Sequence, residues 1–173
     1  IADERTGETL VYLLTTNIPR PLVYLSKYAA ALLLTLGMTL GGLAALCLVP
    51  GKIGLEALGI FWTVTACATT AYVGLFLLFS AWVRRATFLA LAYALMIETL
   101  TGNIPGVVKR ITVSFYAKSW LYESGEPIDL APGGVVLGLF DPVTAATAQW
   151  VLGLASVGFV ALGMWIFSRK EYD

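Results

Sequence analysis

The sequence predicts an all-α membrane protein: a polytopic bundle of four transmembrane helices, with an amphipathic helix on the cytoplasmic side and a short one on the outer side. The composition is the first observation, because 58% of the 173 residues are apolar, only 13% are charged, and mean hydropathy is +0.82. A soluble domain carries about 25% charged and about 45–50% apolar residues. The second observation is that the apolar residues form long uncharged runs, each sufficient to cross ~30 Å of hydrocarbon as a helix. The excess apolar surface therefore requires lipid.

Four apolar runs define the predicted spans. They lie at about residues 29–49, 57–83, 86–106 and 144–167. Turn or charged residues separate them, namely Pro50-Gly51-Lys52, Arg84-Arg85 and a long outer segment at about 107–141. Only Glu98 places a charge well inside a run.

The distribution of basic residues predicts the orientation of the chain. Cytoplasmic flanks of membrane helices are enriched in Lys and Arg, and Trp and Tyr gather at both interfaces. The side of the N-terminal segment holds most of the basic residues, namely Arg5, Arg20, Lys27, Arg84, Arg85, Arg169 and Lys170. The other side holds Lys52, Lys109, Arg110 and Lys118. The positions of Trp and Tyr fit the same two interfaces. One side holds Tyr24, Tyr28, Trp82 and Trp165, and the other holds Trp62, Trp120 and Trp150. We therefore expect both ends of this chain in the cytoplasm.

Residues 1 to about 18 predict a cytoplasmic amphipathic helix. Leu10, Leu13 and Leu14 share one helical face, and acidic residues lie near the start, where the helix dipole favours them. Pro19 and Pro21 end this helix, and a second helix then runs into the first span. The alternative is a generic helix resting on anionic lipid, although such helices favour Lys and Arg on the polar face.

A short helix is predicted at the outer interface. Val108, Ile111 and Phe115 share a helical face, with basic residues nearby.

The composition excludes several functional classes. The sequence has no histidine, which removes His-based zinc sites and catalytic triads, and we predict no catalytic and no metal-binding residues. Cys47 and Cys67 lie in apolar runs and are predicted to be buried free thiols. Eleven basic residues balance eleven acidic ones, which argues against nucleic acid as a partner. The chain also lacks a Gly-x-x-x-x-Gly-Lys-[Ser/Thr] loop, so we do not expect it to hydrolyse ATP itself.

The N-terminal segment resembles a segment of the permease subunits of ATP-binding cassette (ABC) transporters, in the type-2 permease family. In that family the cytoplasmic segment before the third membrane helix runs Glu-Arg-x-x-Gly-Thr-Leu-Glu-x-Leu-Leu-Ser-x-Pro-Val-Ser-Arg, followed by Gly-Lys. The matching residues are Thr9-Leu10, Leu13-Leu14, Thr15, Ile18, Arg20, Leu25 and Lys27. Glu8, Asn17 and Ser26 depart from the pattern. A second stretch, Ile97 to Gly106 followed by Ser114-Phe115-Tyr116, is similar to the family's acidic helix end, Leu-Pro-Gly turn and Ser-x-Tyr motif.

The resemblance implies a division of the chain and a set of partners. Residues 1–21 would be the coupling-helix segment and residues 22–173 the transmembrane domain. The coupling helix would dock on a separate ABC ATPase subunit through the anchors Leu10, Leu13 and Leu14 and the charged residues Glu4, Arg5, Glu8 and Arg20. ATP and Mg²⁺ would be bound by that partner, with no cofactor in this chain. A second permease copy, in a homo- or heterodimer, and membrane lipid complete the implied partners. Family members have six spans, so an N-terminal pair of spans is expected to precede this sequence.

Two features inside the spans remain open to two readings each. Glu98, with Asn103 nearby, is either an acid of the substrate path or gate, or a structural group satisfied where the helix ends. Gly37, Gly41 and Ala45 form a small-residue stripe for close helix packing, either within the chain or in a dimer.

The whole sequence predicts a permease subunit in the cell membrane, driven by ATP hydrolysis in a partner chain. The alternative is a four-span scaffold or a secondary transporter that is not coupled to an ATPase. Spans with almost no charge suit an amphipathic or lipid-like cargo, but a scaffold would have the same composition.

Overall fold

The computed structural model describes residues 19–83, 85–98, 110, 112–125 and 142–169, without the side chains of Arg20 and Glu98. Within these residues the secondary structure is helical and contains no strand. Three helices are long and apolar enough to cross a membrane: Pro21–Leu48, Lys52–Trp82 and Ala145–Arg169. The protein is therefore a helical, membrane-associated protein.

The first two helices form an antiparallel hairpin. Helix α1 covers Arg20–Leu48 and helix α2 covers Lys52–Trp82. Gly51 lies between them at φ 68°, a left-handed conformation that side chains disfavour, and its carbonyl accepts the N–H of Leu55 at 3.1 Å. Close approach continues into α2, because a Cβ added at Gly54 would overlap the carbonyl oxygen of Cys47.

Helix α3 is short and changes its winding. It covers Ala86–Ala92 and continues as a π-helical segment, Tyr93–Glu98. The Tyr93 ring packs against α2, with centroids 6.4 Å from Phe76 and 5.9 Å from Phe79. The apolar helix described here, Ala86–Ile97, is too short to cross the bilayer.

Helices α4 and α5 complete the described bundle. Helix α4 covers Val113–Gly125 and helix α5 covers Ala145–Arg169. We define the Leu152 cluster as the buried residues Ala71, Val113 and Leu152, which join α2, α4 and α5. Tyr72, Tyr116 and Trp120 pack against it. The Glu123 carboxylate accepts a hydrogen bond from the backbone N–H of Ala145, so the end of α4 lies at the start of α5.

Helices α2 and α5 run parallel and α1 runs antiparallel to both. Ala71 of α2 contacts Leu152 of α5, and Ala81 of α2 joins Phe167 of α5 and Tyr24 of α1 in a second cluster. One end of the bundle, the Arg169 end, therefore holds the start of α1 and the ends of α2 and α5. The opposite end, the Ala145 end, holds the α1–α2 turn and the start of α5.

The structure confirms three of the four predicted spans by length and composition. Helices α1 and α2 begin earlier than the uncharged runs at 29 and 57, because a helix continues through flanking Lys and Arg residues whose charges can reach the interface. The predicted third span at 86–106 is described only to Glu98, and its remainder lies outside the described residues. The separate helix predicted before Pro19 also lies outside them.

Helix α4 begins at Val113, so Phe115 is the one described residue of the face predicted for the short outer helix. Its first residue, Val113, packs against Leu152, which lies two turns into α5. At ~1.5 Å per residue, this contact lies roughly 10 Å along α5 from Ala145. The helix packs against α2 and α5 through the face of Val113, Tyr116 and Trp120, and Phe115 and Ser119 are buried on a different face. Val108 and Ile111, which the prediction placed on the same face, lie outside the described residues.

Candidate functional site

The start of α1 is the place where the N-terminal segment joins the membrane helices. Pro19 has extended backbone angles, φ −62° and ψ 130°, and the helix begins at the next residue. Pro21 falls in the first turn, where its missing N–H is not required. The N–H of Leu22 donates to the Pro19 carbonyl at 2.9 Å, which fixes the direction in which α1 leaves this point.

A compact apolar cluster lies just inside the Arg169 end. We define the Tyr24 cluster as the buried residues Val23, Tyr24, Ala81 and Phe167. Tyr24, Ala81 and Phe167 are all 0% exposed, and the Tyr24 and Phe167 rings lie with centroids 5.9 Å apart and tilted by 43°. The cluster joins α1, α2 and α5 at one level of the bundle.

Gly163 of α5 makes room for the Tyr24 ring. A Cβ added at Gly163 would overlap the Tyr24 hydroxyl and lie 3.1 Å from its Cε1 atom. The ring of Tyr24 thus sits directly against the α5 backbone, with Phe167 one turn further along the same helix.

Farther along α1 the contacts with the bundle are looser. The Tyr28 hydroxyl donates to the Thr70 carbonyl of α2 at 3.4 Å. Thr35 and Thr39 donate to carbonyls of their own helix, at 2.7 Å to Ala31 and 2.8 Å to Thr35. Hydroxyl groups satisfied in this way can face lipid without a partner from another helix.

Side chains suited to a membrane interface surround the Tyr24 cluster. Trp82 and Trp165 are exposed at this end, as are Arg85 and Arg169. The Arg169 guanidinium carbon lies 4.6 Å from the centroid of the Trp165 ring, a cation–π arrangement. This confirms Trp82 and Trp165 as exposed aromatics at the Arg169 end. Tyr24 lies at the same end, as predicted, but its ring is buried against Gly163.

Most of the predicted docking residues lie outside the described part of the chain. These are Glu4, Arg5, Glu8, Leu10, Leu13 and Leu14. Arg20 is the first residue of α1, although its side chain is not described. The docking surface therefore stays a prediction, as does the division into residues 1–21 and 22–173.

The predicted path residues are described only in part. Glu98 is the last residue of the π-helical segment, and Asn103 lies outside the described residues. Both readings of Glu98 stay open.

The small-residue stripe of α1 faces away from the other described helices. Gly37, Gly41 and Ala45 are exposed, and a Cβ added at either glycine would meet nothing within 4 Å. The stripe therefore does not serve packing among the helices described.

The cysteines are free thiols, as predicted, but they are less buried than predicted. Cys47 is half-buried and Cys67 is exposed. Among the described residues, no group of three His, Cys, Asp or Glu side chains could hold a metal ion.

Sequence reasoning missed the Tyr24 cluster. The available signal was the small residue Gly163 four positions before Phe167, but an isolated glycine in an apolar helix has no unique partner. The cluster contains no acid, base or nucleophile beyond the phenol of Tyr24. Its arrangement can transmit movement between helices.

Comparisons of the chain with protein-family models, with curated proteins and with solved structures return no match. The likeness to type-2 ABC permeases consequently rests on the sequence motifs alone.

Proposed function

We propose that this chain is the membrane subunit of an ABC transporter, which moves a substrate across the membrane with energy from ATP hydrolysis in a separate partner chain. The observation that carries the proposal is the pattern from Thr9 to Arg20, which aligns with the type-2 permease segment without gaps and departs from it at Asn17. The pattern leads into a membrane helix, in which Leu25 and Lys27 continue it. A segment in this position can pass movement of a docked ATPase into the spans.

Features of the described bundle support this proposal. Helix α1 begins at Arg20, at the end of the matching segment, and no further helix intervenes between Pro19 and the crossing. The exposed Arg85 and Arg169 at the same end are consistent with a cytoplasmic location. An ATPase could therefore reach this end of the bundle.

Mechanistically, nucleotide binding and the membrane path would be linked by a coupling free energy. ATP-driven closure of the partner would displace residues 3–18, and α1 would carry the displacement into the bundle. The partner would hold ATP and Mg²⁺, and this chain would contribute the docking segment and the helices that rearrange. A second permease copy would complete the path.

Copurification of docking variants tests the proposal. The tagged full-length protein is extracted in gentle detergent from its native membrane, and the proteins that copurify are identified by mass spectrometry. We expect wild-type protein to retain a chain with a P-loop, and Leu13→Asp/Leu14→Asp to lose it because two carboxylates replace the apolar anchors. Membrane insertion should be unchanged, since the substitutions lie before α1.

The matched control places the same charges on the opposite helical face. In the helix predicted from the sequence for residues 1 to about 18, Tyr12 and Thr15 would lie away from the leucine face, so Tyr12→Asp/Thr15→Asp should retain the partner. Equal retention by both double variants would contradict docking through the leucine face. Wild-type protein that purifies with lipid alone would favour a scaffold or a secondary transporter.

A further inference from the structure

Helix α1 is fixed to the bundle chiefly at its Arg169 end. Among its residues with described side chains, only Val23 and Tyr24 are buried, and both lie within its first two turns. At the opposite end the tight turn at Gly51 ties α1 to α2, so the two helices form one hairpin. Tyr24 therefore provides a buried contact between α1 and α5, while α2 packs on α5 nearer the middle of both helices, at Gly74 beside Phe159 and at Ala71 beside Leu152.

The Tyr24 ring occupies a joint among three helices. It lies against Gly163 and Phe167 of α5 and shares its cluster with Ala81 of α2. Protein interiors are close-packed, so a buried ring that touches the α5 backbone cannot move without displacing that helix. Tyr24 lies four positions after Arg20, the residue at which α1 begins.

We propose that Tyr24 is the positioning residue through which movement of the N-terminal segment is transmitted to α2 and α5. This inference rests on the proposed function, in which an ATPase displaces that segment. The Tyr24 ring is packed between α1 and α5. Displacement of the first turn of α1 therefore pushes the ring against Gly163. The hairpin then shifts relative to α5, and the shift reaches the Ala145 end.

Two other described contacts of α1 join it to α2 and not to α5. Tyr28 reaches α2 through one hydrogen bond at 3.4 Å, which stays within the hairpin and leaves α5 unaffected. The contact between Gly54 and Cys47 likewise joins α1 to α2 at the turn.

A distance measurement across the Ala145 end tests the inference. Spin labels are attached at Leu46→Cys of α1 and Trp150→Cys of α5, whose native side chains are 74% and 73% exposed, after replacement of Cys47 and Cys67 by alanine. The full-length protein, diluted with unlabelled chain, is purified with its ATPase. The distance between the labels is then measured by electron paramagnetic resonance with and without ATP, Mg²⁺ and vanadate. We expect a nucleotide-dependent shift in the wild-type background.

Substitutions at Tyr24 and Gly163 should abolish the nucleotide-dependent change in distance while the complex still hydrolyses ATP. Tyr24→Ala should lose most of the shift while the complex still hydrolyses ATP, and Tyr24→Leu, which keeps apolar bulk, should lose it without a folding defect. Tyr24→Phe should restore the shift because it keeps the ring. Gly163→Ala should also lose it, since the added methyl group displaces the ring, and Gly163→Ala combined with Tyr24→Ala should lose no more than Tyr24→Ala alone.

A control variant separates transmission from general destabilisation. Leu152→Ala removes an equally buried side chain of α5 from the Leu152 cluster and should keep the shift. A wild-type shift in both Tyr24→Ala and Tyr24→Leu would overturn the inference, as would an equal loss in Leu152→Ala. If the ATPase copurifies but the Tyr24 and Gly163 variants keep the wild-type shift, this inference alone is overturned. Absence of any copurifying ATPase overturns the proposed function and this inference together.

Discussion

Gly54 and Gly59 lie in the same helix, but their surroundings are different. A Cβ at Gly54 would overlap the Cys47 carbonyl oxygen and lie 2.8 Å from Cγ of Pro50, whereas one at Gly59 would meet nothing within 4 Å. The close contact at Gly54 therefore requires a residue without a side chain, whereas Gly59 has room for one. Close approach of α1 and α2 explains the difference, since Gly54 follows the turn directly.

The two glycines should respond oppositely to the same substitution. Gly54→Ala should destabilise the protein by about 1–3 kcal/mol, because a backbone carbonyl cannot move aside cheaply. Gly59→Ala should be neutral or stabilising by about 0.5–1 kcal/mol, because alanine favours helix over glycine. Thermal unfolding of both variants in the same detergent measures the contrast. Equal melting temperatures would contradict the packing described at the α1–α2 turn.

The predicted free-thiol state of the two cysteines was confirmed because it depended only on their number and their apolar surroundings in the sequence. The absence of a disulfide between Cys47 and Cys67 followed from two cysteines in apolar runs. Burial of Tyr24 could not be predicted, because a tyrosine near a span end also suits an aromatic belt. The ring is buried and not at the membrane surface because Gly163 lies opposite it. The two residues are brought together only in the folded structure.

Among the helices, α4 and α5 are joined by a hydrogen bond between residues that lie 22 positions apart in the sequence. The backbone N–H of Ala145, at the start of α5, donates to the Glu123 carboxylate of α4. A carboxylate at this position satisfies a donor that the helix leaves free and interacts favourably with the helix dipole. Thr144 and Thr147 pair through their hydroxyls at 2.7 Å beside it.

Glu123 should therefore contribute to stability. Glu123→Ala should reduce the free energy of unfolding by about 1 kcal/mol, in the range for a lost helix cap. Glu123→Gln should reduce the free energy of unfolding by less than Glu123→Ala does, because glutamine keeps an oxygen that can accept the hydrogen bond. Thermal unfolding in detergent measures both, with Glu56→Ala as the control, since Glu56 is an exposed glutamate of α2. If Glu123→Ala and Glu56→Ala unfold at the same temperature, the contact does not stabilise α5.

The existence of the long helices was predictable from the sequence, but the boundaries and the packing of short helices were not. An uncharged run of sufficient length predicts a span whatever it packs against, which is why α1, α2 and α5 were found. Their ends extend past the uncharged runs because Lys27 and Lys52 do not stop a helix. The packing of α4 depends on Ala71 and Leu152 of other helices, and its own sequence also fits an interfacial helix.

For the whole molecule, the orientation of the bundle is a prediction that can be tested independently of any partner. Ile53 lies in the first turn of α2, and Thr87 lies in the first turn of α3, just beyond the opposite end of α2; both residues are exposed. In a background with alanine at positions 47 and 67, a membrane-impermeant maleimide added to intact cells should label Ile53→Cys. Thr87→Cys should be labelled only after permeabilisation, because the Arg169 end is expected in the cytoplasm.

The labelling result distinguishes three arrangements. The reverse pattern would invert the predicted orientation. Labelling of both positions from the same side would show that α2 does not cross the membrane. A third single-cysteine position, Leu154→Cys, is the negative control, because it is 68% exposed on the apolar face of α5 and should face lipid.

The central claim is that residues 3–18 contact an ATP-hydrolysing partner, and site-specific photo-cross-linking in native membranes tests it most directly. The photoreactive residue p-benzoylphenylalanine replaces Leu13, and Leu33 in a control, since Leu33 is 74% exposed on α1. After irradiation, mass spectrometry identifies the adducts. The account predicts that position 13 is joined to a chain that carries a P-loop and that position 33 is not. Adducts of position 13 with lipid alone would contradict the account.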